Sequence, residues 1–305
     1  MRKYILSRMI QLVPILLGIT FLTFGMMQFT ADDAVDKIYE GSVSEEIKSA
    51  KRAELGLDKN FMIQYGNWLG GVITGDMGRS FISGKLVFET FAEKLPATIE
   101  LMLVSILLTI LIATPAGILA AVKQNKFPDY LIRALSFIGN SMPNFFVGLL
   151  LIYFLALKLN LLPIIGASVI MPALTLTISM GAKYTRQIRA VVLEELKKPY
   201  VMGARSRGVS EFTILTKSVL PSILVPVITL LALSIGSLLG GTAIVETIFM
   251  WDGVGKMAVD AILMRDYPLI QAYVVWMAII YVVINLAADL LYRFLDPRIR
   301  YGENG

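Results

Sequence analysis

The chain has 305 residues, 56% of them hydrophobic and 17% charged, where an ordinary soluble protein carries about 25% charged residues. It has no Cys and no His, which excludes disulfides, thiol chemistry, HExxH zinc sites and catalysis that needs an imidazole. The net charge of +5 is therefore read by its placement along the chain, as befits a membrane protein, rather than as a nucleic-acid footprint.

Between successive charges lie six uncharged runs, 9–31, 101–122, 134–157, 159–182, 218–245 and 267–288, each long enough to cross a hydrocarbon core of about 30 Å. The first follows a basic start, as a secretory signal would. It is longer than an h-region of about 7 to 15 residues and no A-x-A-like site follows, so it reads as an uncleaved helix. Segment 32–100 is too long for a plain connection and is expected to fold. In it Ser42-x-x-Glu45 reads as a capping box for a short helix, which Leu55-Gly56-Leu57-Asp58 ends. Phe61 to Leu69 forms a second apolar stretch whose Tyr65 and Trp68 suit either a headgroup belt or a docked partner. Lys158 alone separates the third and fourth runs, and Leu162-Pro163 with Gly166 supplies the turn of a tight hairpin. Pro115, Pro143, Pro172 and Pro226 lie inside runs, as kinks that shape packing or loosen a helix.

Segment 183–221 is the most informative. Ile188, Val191, Val192 and Leu196 recur at helical spacing, so the fourth span is expected to continue as an amphipathic helix that Pro199 stops. A short helix from Tyr200 to Arg207 then ends at Gly208, Ser210 caps another with Glu211 in its first turn, and Leu220-Pro221 opens the fifth span. The alternative is a solvated basic loop. Against it, Val201, Ala204, Phe212 and Leu215 are apolar positions on a small element and need a surface to pack on.

The basic residues orient the chain. With both termini cytoplasmic, the inside holds Arg2, Lys3 and Arg8, then Lys123, Lys126 and Arg133, then eight between Lys183 and Lys217, then Arg293, Arg298 and Arg300. The short outside connections hold only Lys158, Lys256 and Arg265. Polar residues within the runs, Ser141, Asn144, Ser234, Ser237 and Thr242, and Glu246 at the edge of the fifth, either line a route or bond between helices. Gly236-x-x-x-Gly240 reads as a close helix contact, and Met142 and the other methionines as core filling.

At Ala204-xxx-Gly208, followed by Leu220-Pro221, the sequence resembles the cytoplasmic EAA loop of ABC importer permeases. The resemblance extends through Leu55-Gly56-Leu57-Asp58, Gln64-Tyr65, Trp68-Leu69, Gly75-Asp76-x-Gly78-x-Ser80, Leu95-Pro96-Ala97-Thr98, Ser141-Met142-Pro143-Asn144-Phe145, Gly240-Gly241-Thr242, Glu246, Arg265-Asp266-Tyr267-Pro268 and Asp296-Pro297-Arg298. These are similar to the B-type permeases of the dipeptide/oligopeptide/nickel importers, with the Leu-Pro-Ala-Thr and Ser-Met-Pro-Asn-Phe stretches closest to the nickel branch. Two stretches depart: Met202-Gly203-Ala204 stands in place of Glu-Ala-Ala, and Trp251-Asp252-Gly253 in place of Trp-Pro-Gly.

The resemblance implies an all-α polytopic membrane protein, one permease domain over 1–305, with six transmembrane helices of the type I ABC importer fold and a folded external segment over 32–100. It implies an ATPase-coupling loop over 183–221 with Tyr200, Ala204, Arg205, Gly208, Leu220 and Pro221; a translocation path with Ser141, Asn144, Thr242 and Glu246; and binding-protein docking at Tyr65, Trp68 and Asp76. The implied partners are a homologous permease in a heterodimer, two ATPase subunits, an extracytoplasmic binding protein and lipid, with no nucleic acid, in a bacterial or archaeal cell membrane. No cofactor or metal is expected in this chain, ATP and Mg belonging to the ATPase subunits. Independently, Gly255-Lys256-Met257 and Gly84-Lys85-Leu86 lack the P-loop Ser/Thr, and a membrane enzyme lacks its ligands and its nucleophile–base pair. The expected cargo is nickel, crossing as a chelate because this chain offers it no imidazole or thiolate. The alternatives are a dipeptide or oligopeptide cargo and, in another class, an ion-coupled secondary transporter, which the lack of acids inside the runs disfavours.

Overall fold

The computed structural model describes residues 2–28, 33–39, 43–163 and 168–295. Among them the regular elements are helices, and an isolated bridge joins Arg79 to Leu86. α1 (Arg2–Gln28), α5 (Val87–Val122) and α13 (Tyr267–Leu295) each carry a stretch long and apolar enough to cross a bilayer. Large apolar side chains such as Leu22 and Met26 of α1 and Leu103 and Leu111 of α5 stand exposed, as lipid solvation permits. The chain divides into two compact units, residues 1–98 with 252–283 and residues 99–251 with 284–305.

The first unit contains α1, α2 (Ala34–Ile38), α3 (Glu45–Leu55), α4 (Phe61–Thr74), the first turns of α5, α12 (Val254–Leu263) and α13 as far as Val283. The capping box lies at α2, not at α3: Asp33 accepts from the backbone N–H of Val35 and Asp36, and Asp36 accepts from the N–H of Asp33. Ser42 is outside the described residues, and α3 starts after Ser44 with no side-chain cap. Arg52 of α3 instead donates to both Asp33 and Asp36, stapling α2 to α3. Gly56 ends α3 at φ 71°, as its place after the amphipathic stretch predicts. Val87 and Phe91 of α5, Val254 and Met257 of α12 and Leu269 and Ile270 of α13 form the core.

The second unit holds the rest of α5, α6 (Phe127–Ser141), α7 (Asn144–Leu151), α8 (Ile170–Leu196), α9 (Pro199–Ser206), α10 (Glu211–Ile214) and α11 (Leu220–Ile248). π-Helical stretches extend α7 over Ile152–Lys158 and join α10 to α11 over Leu215–Val219. The run 134–157 is not one straight span. α6 begins at Phe127, and its axis meets that of Asn144–Lys158 at 106°. Pro143 is the cause: it has no N–H to continue the ladder and forces Met142 into extended backbone, φ −85° and ψ 131°. The fourth run becomes helical at Ile170, while Gly166 of the expected hairpin turn lies outside the described residues. Pro172 and Pro226 lie within α8 and α11, and Pro221 opens α11. A Cβ on Gly117 would stand 2.8 Å from the Thr185 carbonyl oxygen and 2.9 Å from Ile188 Cβ, so only glycine lets α5 approach α8 this closely.

Candidate functional site

The segment after the fourth run folds into the expected knob, and its core is continuous with α5, α8 and α11. Tyr184, Ile188 and Val192 of α8, Val201 and Ala204 of α9, Ile214 of α10, and Val219, Ile223 and Val227 around the start of α11 are buried together, with Leu215 and Leu220 packed against them. Val201 and Ala204 are therefore inward-facing. The small side chain of Ala204 lets α9 lie on this core and does not offer itself to a partner. Phe212 does: it is 76% exposed, and Tyr200, Met202 and Val209 share its outward apolar exposure.

The turn between α9 and α10 is built as its residues dictate. Gly208 has φ +78°, and a Cβ there would meet nothing within 4 Å, so backbone conformation alone requires the glycine. Arg205 closes the turn with two hydrogen bonds to Glu211, at 2.6 and 3.0 Å, which hold the Glu211 carboxyl below its ordinary pKa. Ser210 accepts from the Thr213 N–H, capping α10. Pro199 sits in the first turn of α9, one loop after α8 ends. At that joint Glu195 is buried, accepting from the Tyr200 hydroxyl at 2.7 Å and pairing with Lys198 at 2.6 Å. Burial pushes its carboxyl upward, but the bonds from Lys198 and Tyr200 together outweigh burial and hold its pKa below the usual value.

A second ion pair ties α6 to α8. Arg189 donates to both oxygens of Asp129, at 2.7 and 2.8 Å, and Asp129 also accepts from the Asn125 N–H. Sequence reasoning missed both Asp129 and Glu195. Glu195 had a local signal in its i,i+3 spacing to Lys198, whereas nothing near Asp129 announces a partner 60 positions away.

The polar residues assigned to a route separate. Ser141, exposed, donates to the Phe137 carbonyl of its own helix at 2.9 Å and keeps its oxygen as an acceptor. Asn144, half-buried, opens α7 directly after the break. Thr242 and Glu246 of α11 are buried in the second unit and engaged there. The side chains of Ser234 and Ser237 and the surroundings of Gly236 and Gly240 lie outside what the structure describes.

In the first unit Tyr65 and Trp68 are drawn onto α1. The Tyr65 hydroxyl is 3.0 Å from Thr20 Oγ1, its ring stands edge-on to Phe21 and Phe24, and Trp68 packs beside Phe24. The aromatic pattern thus records internal packing of α4 on α1 (Arg2–Gln28), which neither a headgroup belt nor a docked partner anticipates. Asp76 is exposed and accepts from the Gly78 N–H at 2.8 Å. Two stretches that the sequence singled out separately meet here: Asp266 accepts from Ser80 Oγ at 2.5 Å and from the Phe81 N–H at 3.0 Å. Burial pushes the Asp266 carboxyl upward against those hydrogen bonds. Lys94 pairs with Asp252 of the departed Trp-Asp-Gly turn, and Thr98 accepts from the Val254 N–H at 2.9 Å.

Residues 113–301 match the family of binding-protein-dependent transport system inner membrane components, and residues 1–102 match the N-terminal domain of that family. The chain is 38% identical to the oligopeptide transport system permease protein AppB of Bacillus subtilis (strain 168), over 99% of this chain and 100% of that one. It is 34% identical to the glutathione transport system permease protein GsiC of Escherichia coli (strain K12), with the same coverage. Among solved structures, the inward-facing MetNI methionine ABC transporter aligns with a TM-score of 0.60 at 19% identity, covering 68% of this chain and 97% of that one. An amino acid ABC transporter crystallised with histidines aligns with a TM-score of 0.53 at 17% identity, covering 69% of this chain and 94% of that one.

Proposed function

The chain belongs to the binding-protein-dependent transport system inner membrane components, the permeases of ABC importers, and from that premise we propose that its cargo is a short peptide. It is an integral membrane permease and not an enzyme; ATP is hydrolysed on partner subunits. The single observation that carries the cargo is full-length similarity to relatives whose names specify oligopeptide and glutathione. The nickel branch, which the Leu-Pro-Ala-Thr and Ser-Met-Pro-Asn-Phe stretches suggested, finds no support among these relatives. The first lies within α5, where Thr98 accepts from the Val254 N–H, and the second at the break between α6 and α7; such motifs serve the fold whatever crosses it, so they were a weak guide to cargo.

In this reading both termini are cytoplasmic, segment 32–100 faces outward, and the knob over 200–221 meets an ATPase subunit. The outward face of the knob, with Phe212 at its centre, supplies the apolar anchor; Gly208 and the Arg205–Glu211 pair set its shape; Ala204 and Leu220 support it from within, and the exposed Pro221 opens α11 beside it. The path runs between this chain and a homologous permease, with Asn144 free to bond a passing peptide amide and Glu246 attracting its amino end once the spans tilt. An extracytoplasmic binding protein delivers the peptide to the outer segment, with Asp76 on the exposed turn as a docking contact; Tyr65 and Trp68 hold α4 in place behind it. This chain needs no cofactor of its own.

The test is uptake into proteoliposomes containing the full complex with its binding protein and ATP, offered di- to pentapeptides, free nickel, or nickel with a chelator. Saturable, ATP-dependent uptake of peptides is expected. Uptake confined to chelated nickel would return the chain to the nickel branch.

A further inference from the structure

An open groove of about 520 Å³ runs between α6 and α8 in the second unit, and none of the roles above uses it. Tyr130, Arg133, Ala134 and Phe137 form one wall, at the i, i+3, i+4 and i+7 spacing that sets side chains on a single face of α6. Arg186 and Arg189, one turn apart on α8, form the other. Two contacts fix these walls against each other: the bidentate Arg189–Asp129 pair, and Gly139, where a Cβ would stand 3.2 Å from Ala182 Cβ. Asp129 neutralises Arg189, so the excess charge of the groove is that of Arg133 and Arg186. Both are exposed, neither has a carboxylate partner among the described residues, and the lining contains no acid. The Arg133 guanidinium lies over the Tyr130 ring, 5.7 Å from its centroid, so an aromatic face holds it and its N–H donors stay free.

The depth of the groove indicates what covers it. The uncharged run 134–157 begins directly after Arg133, and the run 159–182 ends one turn before Arg186. Both guanidiniums and the exposed Tyr130 ring therefore stand at the edge of the apolar zone, while the exposed Phe137 lies about 6 Å deeper along α6. We infer that the groove seats an anionic glycerophospholipid, with its phosphodiester on Arg133 and Arg186 and an acyl chain along Phe137. The guanidinium fork matches two phosphate oxygens, and basic pockets between spans at this depth suit lipid headgroups. A zwitterionic headgroup would bring an ammonium toward two guanidiniums with no acid to receive it, which selects phosphatidylglycerol over phosphatidylethanolamine. The volume falls within the range of ligand pockets, about 300 to 1,000 Å³. Placing this lipid in the inner leaflet rests on the orientation proposed above; the site itself does not.

Native mass spectrometry of the complete complex, titrated with phosphatidylglycerol or with phosphatidylethanolamine of the same acyl chains, tests this. One of the phosphatidylglycerol sites of the parent complex should weaken about fivefold in Arg133→Gln and in Arg186→Gln, the worth of one basic residue at an anionic surface, and about 25-fold in the double variant. Phosphatidylethanolamine binding should stay at the parent level in all of them. Equal binding of the two lipids, or phosphatidylglycerol sites unaltered in the double variant, overturns the inference. Displacement by an equal concentration of glycerophosphoglycerol, which has the headgroup and no chains, overturns the lipid in favour of a soluble phosphate ester. Loss of a subunit from the double variant also overturns it, because the groove is then a protein interface. Thiol labelling that reversed the orientation would move the site to the outer leaflet and leave lipid binding intact, so the two readings fail separately.

Discussion

The Asp129 carboxylate is removed from water yet stays charged, because Arg189 grips both of its oxygens and holds its pKa below the ordinary carboxylate range. A depressed native pKa contributes stability above the unfolded value and loses it as pH falls through the native one. Asp129→Asn should therefore cost about 3 kcal/mol at neutral pH, read as a lower Tm, with the gap to the parent closing below about pH 4. Asp266 carries the opposite sign. Burial raises its pKa, so its ionisation costs stability as pH rises through the native value. Asp266→Asn should hold or raise Tm at neutral pH, since the amide still accepts from the Phe81 N–H and can donate to Ser80. Asp266→Leu should lower it, by about 1 to 3 kcal/mol for each donor stranded. At Gly208 the cost is conformational: with φ at +78°, Gly208→Val imposes strain of about 1 to 3 kcal/mol on the turn. Peptide uptake should fall while the complex still assembles on a sizing column, and Gly208→Asn, a residue that tolerates this region, should retain most of it.

Among elements, what was legible in the sequence depended on how local its signal was. The continuation of α8, the turn at Gly208, the Ser210 cap and the end of α3 at Gly56 each rest on residues within one or two turns, and all were readable. Pro143 marked a disturbance, but an uncharged run cannot disclose a bend of 106°. Tyr65 and Trp68 were visible as amphipathic aromatics, while their docking on α1 depends on Thr20 and Phe24, more than 40 positions away. The Ser80–Asp266 bond joins residues 186 positions apart. Helical spacing likewise gives the apolar stripe of α9 but not the side from which it is covered, which the structure shows to be α8, α10 and α11. Gly117, with no local mark at all, carries the contact of α5 with α8. Gly117→Ala should press its Cβ into a backbone oxygen that cannot yield, costing about 1 to 3 kcal/mol by thermal unfolding, a result opposite to the usual gain from replacing a helical glycine.

For the whole molecule, the orientation argued from basic residues is open to direct chemistry, because the chain has no native cysteine. Cysteines placed at the exposed Ser49 and Ser83 should react with an impermeant thiol reagent in intact cells, and one at the exposed Ser206 only after lysis. Labelling at Ser206 from outside would invert the topology. The knob has one further mechanical consequence. Val201, Ala204 and Ile214 share a single close-packed interior with α8 and α11, and such interiors resist compression as organic crystals do. If Phe212 is where an ATPase subunit docks, as proposed, a push received there has no soft layer in which to dissipate, and both long helices would travel with it. On that proposal the knob would work as a crank, and the throw of the driving subunit, more than the tightness of its grip, would fix the length of each stroke.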